Sequence, residues 1–281
     1  MKDWLLYQLM RCMPTHSLSR LVGKLARHSV SKAFIPIFAK KYKISLTESE
    51  KELNEFKSLT DFFTRRLKSE VRPISADPGS VVSPADGMIA AFGTISEGLL
   101  VQAKGVYFSV WDLLGISKEE AASFNGGKFI TVYLSPKDYH RVHSPIKGYI
   151  TKCSYIPGTL FPVNAFGVRA VKGLFAKNER LISYIDSEQM GMVAVVKVGA
   201  TIVGSVRVAY HLGATTNVKA GVVHHESLPV GKPINLGEEI GYFEFGSTVI
   251  LVFEQGQIDW IDELTPGQPV KMGEKIAIGK R

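Results

Sequence analysis

Only two cysteines, Cys12 and Cys153, occur in 281 residues. No disulfide framework is therefore available, and a reducing compartment is the expectation. Clean long apolar runs are also missing: the longest stretch, Met192 to Val206, is interrupted by Lys197, Gly199 and Gly204, well short of a bilayer span. The start, Met1-Lys2-Asp3-Trp4, carries an early acid and no small-residue cleavage site. Neither a secretory signal nor a mitochondrial transit peptide is expected. No low-complexity tract or long internal repeat stands out. With 45% hydrophobic and 21% charged residues the chain is globular, large enough for one sizeable core or two modest ones.

Acidic residues are nearly absent from the first 45 positions. That stretch holds nine lysines and arginines against Asp3 alone, a net +8 that equals the charge of the whole chain, so everything after it is neutral overall. The segment is also amphipathic. Leu6, Leu9, Met10 and Met13 fall at helical spacing, and Leu18, Leu21, Val22 and Leu25 repeat the pattern after Pro14. With Trp4 and Tyr7 at its edge, such a basic helix suits the interface of an anionic membrane. The ordinary alternative is a pair of helices packed on the protein's own core with a solvated basic face. Nucleic acid is the weaker partner, because no aromatic-interleaved basic motif accompanies the charge.

Residues 1–70 are expected to be helical, including Ala33–Tyr42 and a longer helix over Ser49–Leu67 capped at Thr60-Asp61. A linker follows at Arg72-Pro73-Ile74 and Asp77-Pro78-Gly79. Beyond residue 80 come short β-branched or aromatic runs: Met88–Phe92, Phe129–Leu134, Tyr149–Tyr155, Leu181–Ile185, Met192–Val198, Thr201–Val208 and Thr248–Phe253. Val198-Gly199-Ala200 suggests a hairpin, and Ser117–Phe124 a short helix. The fold class is α+β: N-terminal amphipathic helices (1–70, membrane-associating) followed by a mainly antiparallel β catalytic domain (71–281).

The chemistry centres on Phe245-Gly246-Ser247-Thr248, where a hydroxyl follows a glycine directly ahead of Val249-Ile250-Leu251-Val252-Phe253. Ser83-Pro84-Ala85-Asp86-Gly87 and Asp138-Tyr139-His140-Arg141-Val142-His143-Ser144-Pro145 offer an acid and bases that such a serine needs. Together with Phe62-Phe63-Thr64-Arg65-Arg66-Leu67, Lys104-Gly105-Val106-Tyr107, Leu160-Phe161-Pro162-Val163-Asn164, Asn178-Glu179-Arg180 and Gly237-Glu238-Glu239-Ile240-Gly241, the chain resembles the phosphatidylserine decarboxylases. Phe245 departs from the leucine more common in that family, which bears on packing and not on chemistry.

The resemblance implies self-cleavage between Gly246 and Ser247 into a β chain (1–246) and an α chain (247–281), which stay together as a heterodimer and form a possible higher oligomer. Ser247 becomes a covalent pyruvoyl cofactor that forms a Schiff base with phosphatidylserine and yields phosphatidylethanolamine. In the implied triad His143 is the base, Asp86 orients it, and Ser247 attacks the Gly246 carbonyl. Phosphatidylserine is the implied substrate, an anionic surface met by residues 1–45 the implied partner, and the implied location is peripheral, on the cytoplasmic face of the cell membrane.

Other assignments stay open. His140 either handles the substrate carboxylate or a proton, or is a structural histidine. Asp86-Gly87 would by default be a turn. No metal is expected, since His140, His143, His224 and His225 lack a tight ligand set. Val270-Lys271-Met272-Gly273 has some likeness to the lysine hairpin of biotinyl or lipoyl carriers, but lacks the methionine before its lysine, so it is taken as a solvated turn. Two further readings survive: a pyruvoyl decarboxylase of a soluble amino acid, against which the basic N-terminus counts, and a non-catalytic lipid- or carrier-binding β module.

Overall fold

The computed structural model describes residues 14–103, 105–201, 205–210, 215–217 and 221–280. The first amphipathic repeat, with Trp4 and Tyr7, lies outside them. The architecture is α+β with antiparallel pairing throughout its named strands. The central sheet has eight strands in the order β11-β7-β8-β9-β13-β5-β2-β15. They are β2 (Gly87–Thr94), β5 (Lys128–Leu134), β7 (Gly148–Ile156), β8 (Arg180–Ser187), β9 (Gly191–Val198), β11 (His224–Ile234), β13 (Ser247–Phe253) and β15 (Pro269–Val270). Two three-stranded sheets flank it: β1 (Ser80–Val82), β16 (Lys275–Gly279) and β14 (Ile258–Trp260), then β10 (Val206–Val208), β12 (Glu239–Phe243) and β6 (Arg141–His143). β3 (Leu99–Ala103) and β4 (Val106–Ser109) form a separate hairpin.

β13 is the most enclosed strand, and its sequence shows why. An uninterrupted Val-Ile-Leu-Val-Phe run has no polar face to offer water, so it is stable only where both faces are covered. All seven of its residues are buried. Ile250 and Val252 join one apolar cluster with Phe63 and Phe245, while Val249, Leu251 and Phe253 join a second on the opposite face. β9 and β5 pair on either side, with Ser247 opposite Leu134 and Thr248 opposite Val198.

Three expectations are corrected. Ser49–Leu67 is not one helix: a 3₁₀ turn at Leu53–Glu55 and helix α3 (Leu59–Phe63) replace it, and Ser49 bridges Leu67. The cap of α3 is Ser58, whose side chain accepts from the Asp61 amide at 3.2 Å while Asp61 accepts from the Lys57 amide at 2.9 Å. The Val198–Ala200 hairpin does not form, because Val206–Val208 pairs with β12 instead of β9.

Helix α1 (Thr15–Arg27) distinguishes the two packings open to an amphipathic repeat. Its leucines do not pack on the core; Thr15, Ser19, Gly23 and Ala26 are the buried residues. Small residues at this spacing let the backbone lie close to the body, which leaves Leu21 at 55% and Leu25 at 60% exposure. Helix α2 (Ile35–Tyr42) continues this apolar exterior with Ile37, next to the equally exposed Phe34. An apolar stripe turned outward beside Lys24, Lys40 and Lys41 is the geometry of an interfacial helix. None of the described helices is long and apolar enough to cross a membrane.

Candidate active site

Ser83-Pro84-Ala85-Asp86-Gly87 and Ser144-Pro145-Ile146-Lys147-Gly148 are two copies of one corner. Each serine hydroxyl donates to the carbonyl two residues on, Ser83 to Ala85 at 2.8 Å and Ser144 to Ile146 at 2.6 Å. Each corner opens a strand and sits on its own hairpin. The hairpins repeat as well: Gly231-Lys232-Pro233-Ile234-Asn235-Leu236-Gly237-Glu238 matches Gly267-Gln268-Pro269-Val270-Lys271-Met272-Gly273-Glu274. Ser83 N donates to Glu274 O and Ser144 N to Glu238 O, both at 2.8 Å. The corners cross where Val82 N donates to Pro145 O and His143 N to Pro84 O. Asp86 and His143 lie at this pseudo-twofold crossing, a duplication too short and too widely split for sequence inspection to register. Gly87 fixes the fit, since a Cβ there would lie 2.5 Å from Tyr133 O.

The expected contact between Asp86 and His143 is replaced by others. The Asp86 carboxylate accepts from Arg72 Nε at 2.9 Å and from the Met272 amide at 2.9 Å. Burial works against the Arg72 charge, but hydrogen bonds to Asp86 and Glu48 more than offset it and hold the guanidinium above its usual range. His143 places Nδ1 2.8 Å from the Gly237 carbonyl and Nε2 3.0 Å from the Tyr139 hydroxyl. A carbonyl only accepts, so Nδ1 carries the proton and Nε2 is the basic nitrogen. Burial lowers the His143 pKa, which the Gly237 bond partly restores, with Asp86 adding only through its field. Arg72, first taken as linker, and the Lys271-Met272-Gly273 turn are thus the braces of Asp86. Tyr139 and Gly237 are the contacts of His143.

His140 is fully buried. Its Nδ1 lies 2.8 Å from the Asp138 carbonyl and so donates, which leaves Nε2 a bare lone pair with no partner. Its ring stands 4.0 Å from that of Phe63, which stands 4.7 Å from that of Phe245. Phe243 N donates to His140 O, so β12 carries the chain past His140 and into the Gly246-Ser247 bond. The Ser247 hydroxyl is buried and likewise unpartnered. Gly246 has no left-handed φ, and a Cβ there would meet nothing within 4 Å; the uncleaved chain does not itself demand glycine. Glu244, three residues ahead of Ser247, is buried and paired with Arg27 of α1 and with Arg207, tying the outward-facing helix to this loop. His224 and His225 stand on the far edge strand, His225 bonded to Ser154 and the Gly115 carbonyl.

Burial pushes the His140 pKa from 6.5 down to about 3, with the Arg65 charge acting in the same direction. The unfolded chain accepts a proton below pH 6.5 that the folded chain refuses until about pH 3. Stability therefore falls as pH drops through that window, by up to about 1.4 kcal/mol per pH unit. Denaturant midpoints at pH 7 and pH 5 are expected to show the loss, reduced in His140→Gln. An unchanged slope in that variant would assign the acid sensitivity to other groups.

In this α+β body a buried, unpartnered serine heads the central strand, and two buried histidines lie on the segment that pairs with the strand leading to it. A family model for phosphatidylserine decarboxylase matches residues 59–278. The chain is 45% identical over 276 residues to a phosphatidylserine decarboxylase proenzyme of Brevibacillus brevis, covering 98% of each chain. It is 41% identical over 282 residues to the Myxococcus xanthus proenzyme, covering 99% of each. The chain belongs to the phosphatidylserine decarboxylase family.

Proposed function

We propose that this chain converts phosphatidylserine to phosphatidylethanolamine with a pyruvoyl group that it makes from Ser247. The observation that carries the reading is the Ser247 hydroxyl, which is enclosed at the head of the central strand without a hydrogen-bond partner. Buried hydroxyls are mostly hydrogen-bonded, and a nucleophile directed at its own preceding carbonyl needs to be free.

In this reading His143 Nε2 takes the Ser247 proton once the Tyr139 hydroxyl gives up its hold, and the Gly237 carbonyl keeps the ring in the right tautomer. Asp86, clamped by Arg72, supports the imidazolium through its field. Ser247 Oγ attacks the Gly246 carbonyl and an ester replaces the peptide bond. Removal of the Ser247 α-proton expels the Gly246 carboxylate, and hydrolysis of the dehydroalanine left behind releases ammonia. The residues fit a ketone at this position, since Phe245, Phe63 and His140 enclose the segment leading to it. The pyruvoyl group supplies an electrophile for the substrate amine and takes up the electron pair left by departing CO₂. His140 Nε2, free of any partner, takes up a proton and delivers it to the substrate α-carbon once CO₂ has left.

The test is intact mass together with CO₂ release. Two polypeptides, residues 1–246 and 247–281, the smaller without a free amine, are expected, with turnover of phosphatidylserine and not of free amino acids. A purified protein that remains one chain sinks the reading.

Binding to the membrane is assigned to residues 1–45, whose charge and exposed leucines act together. Deleting residues 1–30 is expected to weaken sedimentation with anionic vesicles, and unchanged binding would move the contact elsewhere.

A further inference from the structure

The two pseudo-equivalent corners each border a cleft, and only one cleft is basic. Beside Lys147 and Gly148 the cavity, about 290 Å³, has Lys147 and Glu188 as its only charged lining side chains. Beside Asp86 and Gly87 the corresponding cavity, about 270 Å³, is lined by five cations, Lys43, Arg65, Arg72, Lys137 and Lys271, against Glu48, Asp86 and Asp138. The carboxylates are already engaged. Arg72 holds Asp86 and Glu48, Glu48 also meets Lys271, and Asp138 caps Ser135. Among the described residues Arg65, Lys43 and Lys137 form no ion pair.

Arg65 is the informative member. It is 6% exposed, and its Nη2 donates to the Lys137 and Asp138 carbonyls, yet Nε and Nη1 are buried without any acceptor. A guanidinium left this way is costly unless an anion completes it. The Asp138 carbonyl that Arg65 shares is the one that orients His140, and Tyr139, in the same lining, bonds His143. The cleft thus shares Asp86, Asp138 and Tyr139 with the surroundings of the two histidines.

We propose that Arg65, Lys43 and Lys137 form the seat of the substrate's phosphodiester, an inference that rests on the functional reading above. Two observations select the lipid phosphate over the departing carboxylate. Lys43 ends α2, the helix with outward-facing Ile37, so the cleft lies where a lipid's glycerol region meets its head group. In addition, a cation paired with the carboxylate stabilises the charge that decarboxylation must disperse, which raises the barrier. A phosphodiester keeps its charge through the reaction, and the same cations hold it equally before and after CO₂ leaves.

The experiment uses Lys43→Ala/Lys137→Ala, both exposed positions, and Arg65→Lys, which retains charge but loses the fork. In mixed micelles the double variant is expected to process fully and to raise KM for phosphatidylserine about tenfold, with a much smaller change in kcat. Glycerophosphoethanolamine, which has the phosphate and lacks the carboxylate, is expected to inhibit the parent enzyme and to lose about tenfold in Ki in the double variant, while the Ki of free serine stays unchanged. Equal KM and equal glycerophosphoethanolamine affinity overturn the seat. So does a change confined to serine, which would assign these cations to the carboxylate, or inorganic phosphate inhibition of equal strength in both proteins. Calorimetric binding of glycerophosphoethanolamine reads the seat without turnover. A parent chain that fails to cleave or release CO₂ therefore defeats the functional reading, and the binding comparison still decides this one.

Discussion

Ser247→Ala is expected to remain one 281-residue chain and to release no CO₂ from phosphatidylserine. Both losses come from one atom. In the proposed mechanism the hydroxyl is the attacking group for cleavage, and without the ester it forms there is no elimination towards the pyruvoyl group, so no partial activity is left to either step. The structure also predicts that the variant folds well. Ser247 Oγ is buried without a partner, and leaving such a group unmade costs about 1–3 kcal/mol. Alanine removes it while keeping Cβ and the pairing with Leu134. Melting temperature should therefore match or exceed that of an uncleaved parent, which separates lost chemistry from lost structure. Cleavage in Ser247→Ala, seen as a second mass, would place the scissile bond elsewhere.

Much of the frame was legible because its signals are local. The run after Ser247 has no polar face and could only be an enclosed strand, and β13 is one. The helix over Thr15–Arg27 was visible in its spacing, but its orientation was not. Periodicity says that one face is apolar, and only the packing of Thr15, Ser19, Gly23 and Ala26 shows that the apolar face is the outer one. The long helix over Ser49–Leu67 failed because Glu52 and Ser58 each supply a stronger local cap than the run between them supplies continuity. At the site, the family resemblance singled out Asp86, His143 and Ser247, which residue type alone would have left as a turn aspartate, a structural histidine and a strand serine, and His140 stayed open between two roles. Their contacts, with Arg72, Met272, Gly237 and Tyr139, depend on a duplicated corner whose halves are 61 and 36 residues apart in different parts of the chain. No single window of sequence contains that relation.

The two histidines are expected to separate the two reactions. His143→Ala should leave the chain uncleaved, and with it inactive, because its Nε2 is the proposed base and the Gly237 carbonyl fixes the tautomer that keeps it basic. His140→Ala should still cleave, yet lose about 10²- to 10⁴-fold in decarboxylation, the usual worth of a positioned proton-transfer group. The asymmetry follows from what each ring touches. His143 lies at the crossing of the corners, bonded to Tyr139 and across from Glu239, whereas His140 is packed against Phe63 with its Nε2 free. Burial and the Arg65 charge hold His140 neutral. An anion seated on Arg65 cancels one of those two influences and raises the basicity of Nε2 when substrate arrives. The pH profile of kcat/KM reports the free enzyme and that of kcat the substrate complex, so the alkaline limb set by His140 as proton donor should lie at higher pH in kcat and vanish in His140→Ala. Failure of His140→Ala to self-cleave would reverse the division of roles. A cleaved His140→Ala enzyme with full turnover would leave His140 a packing residue.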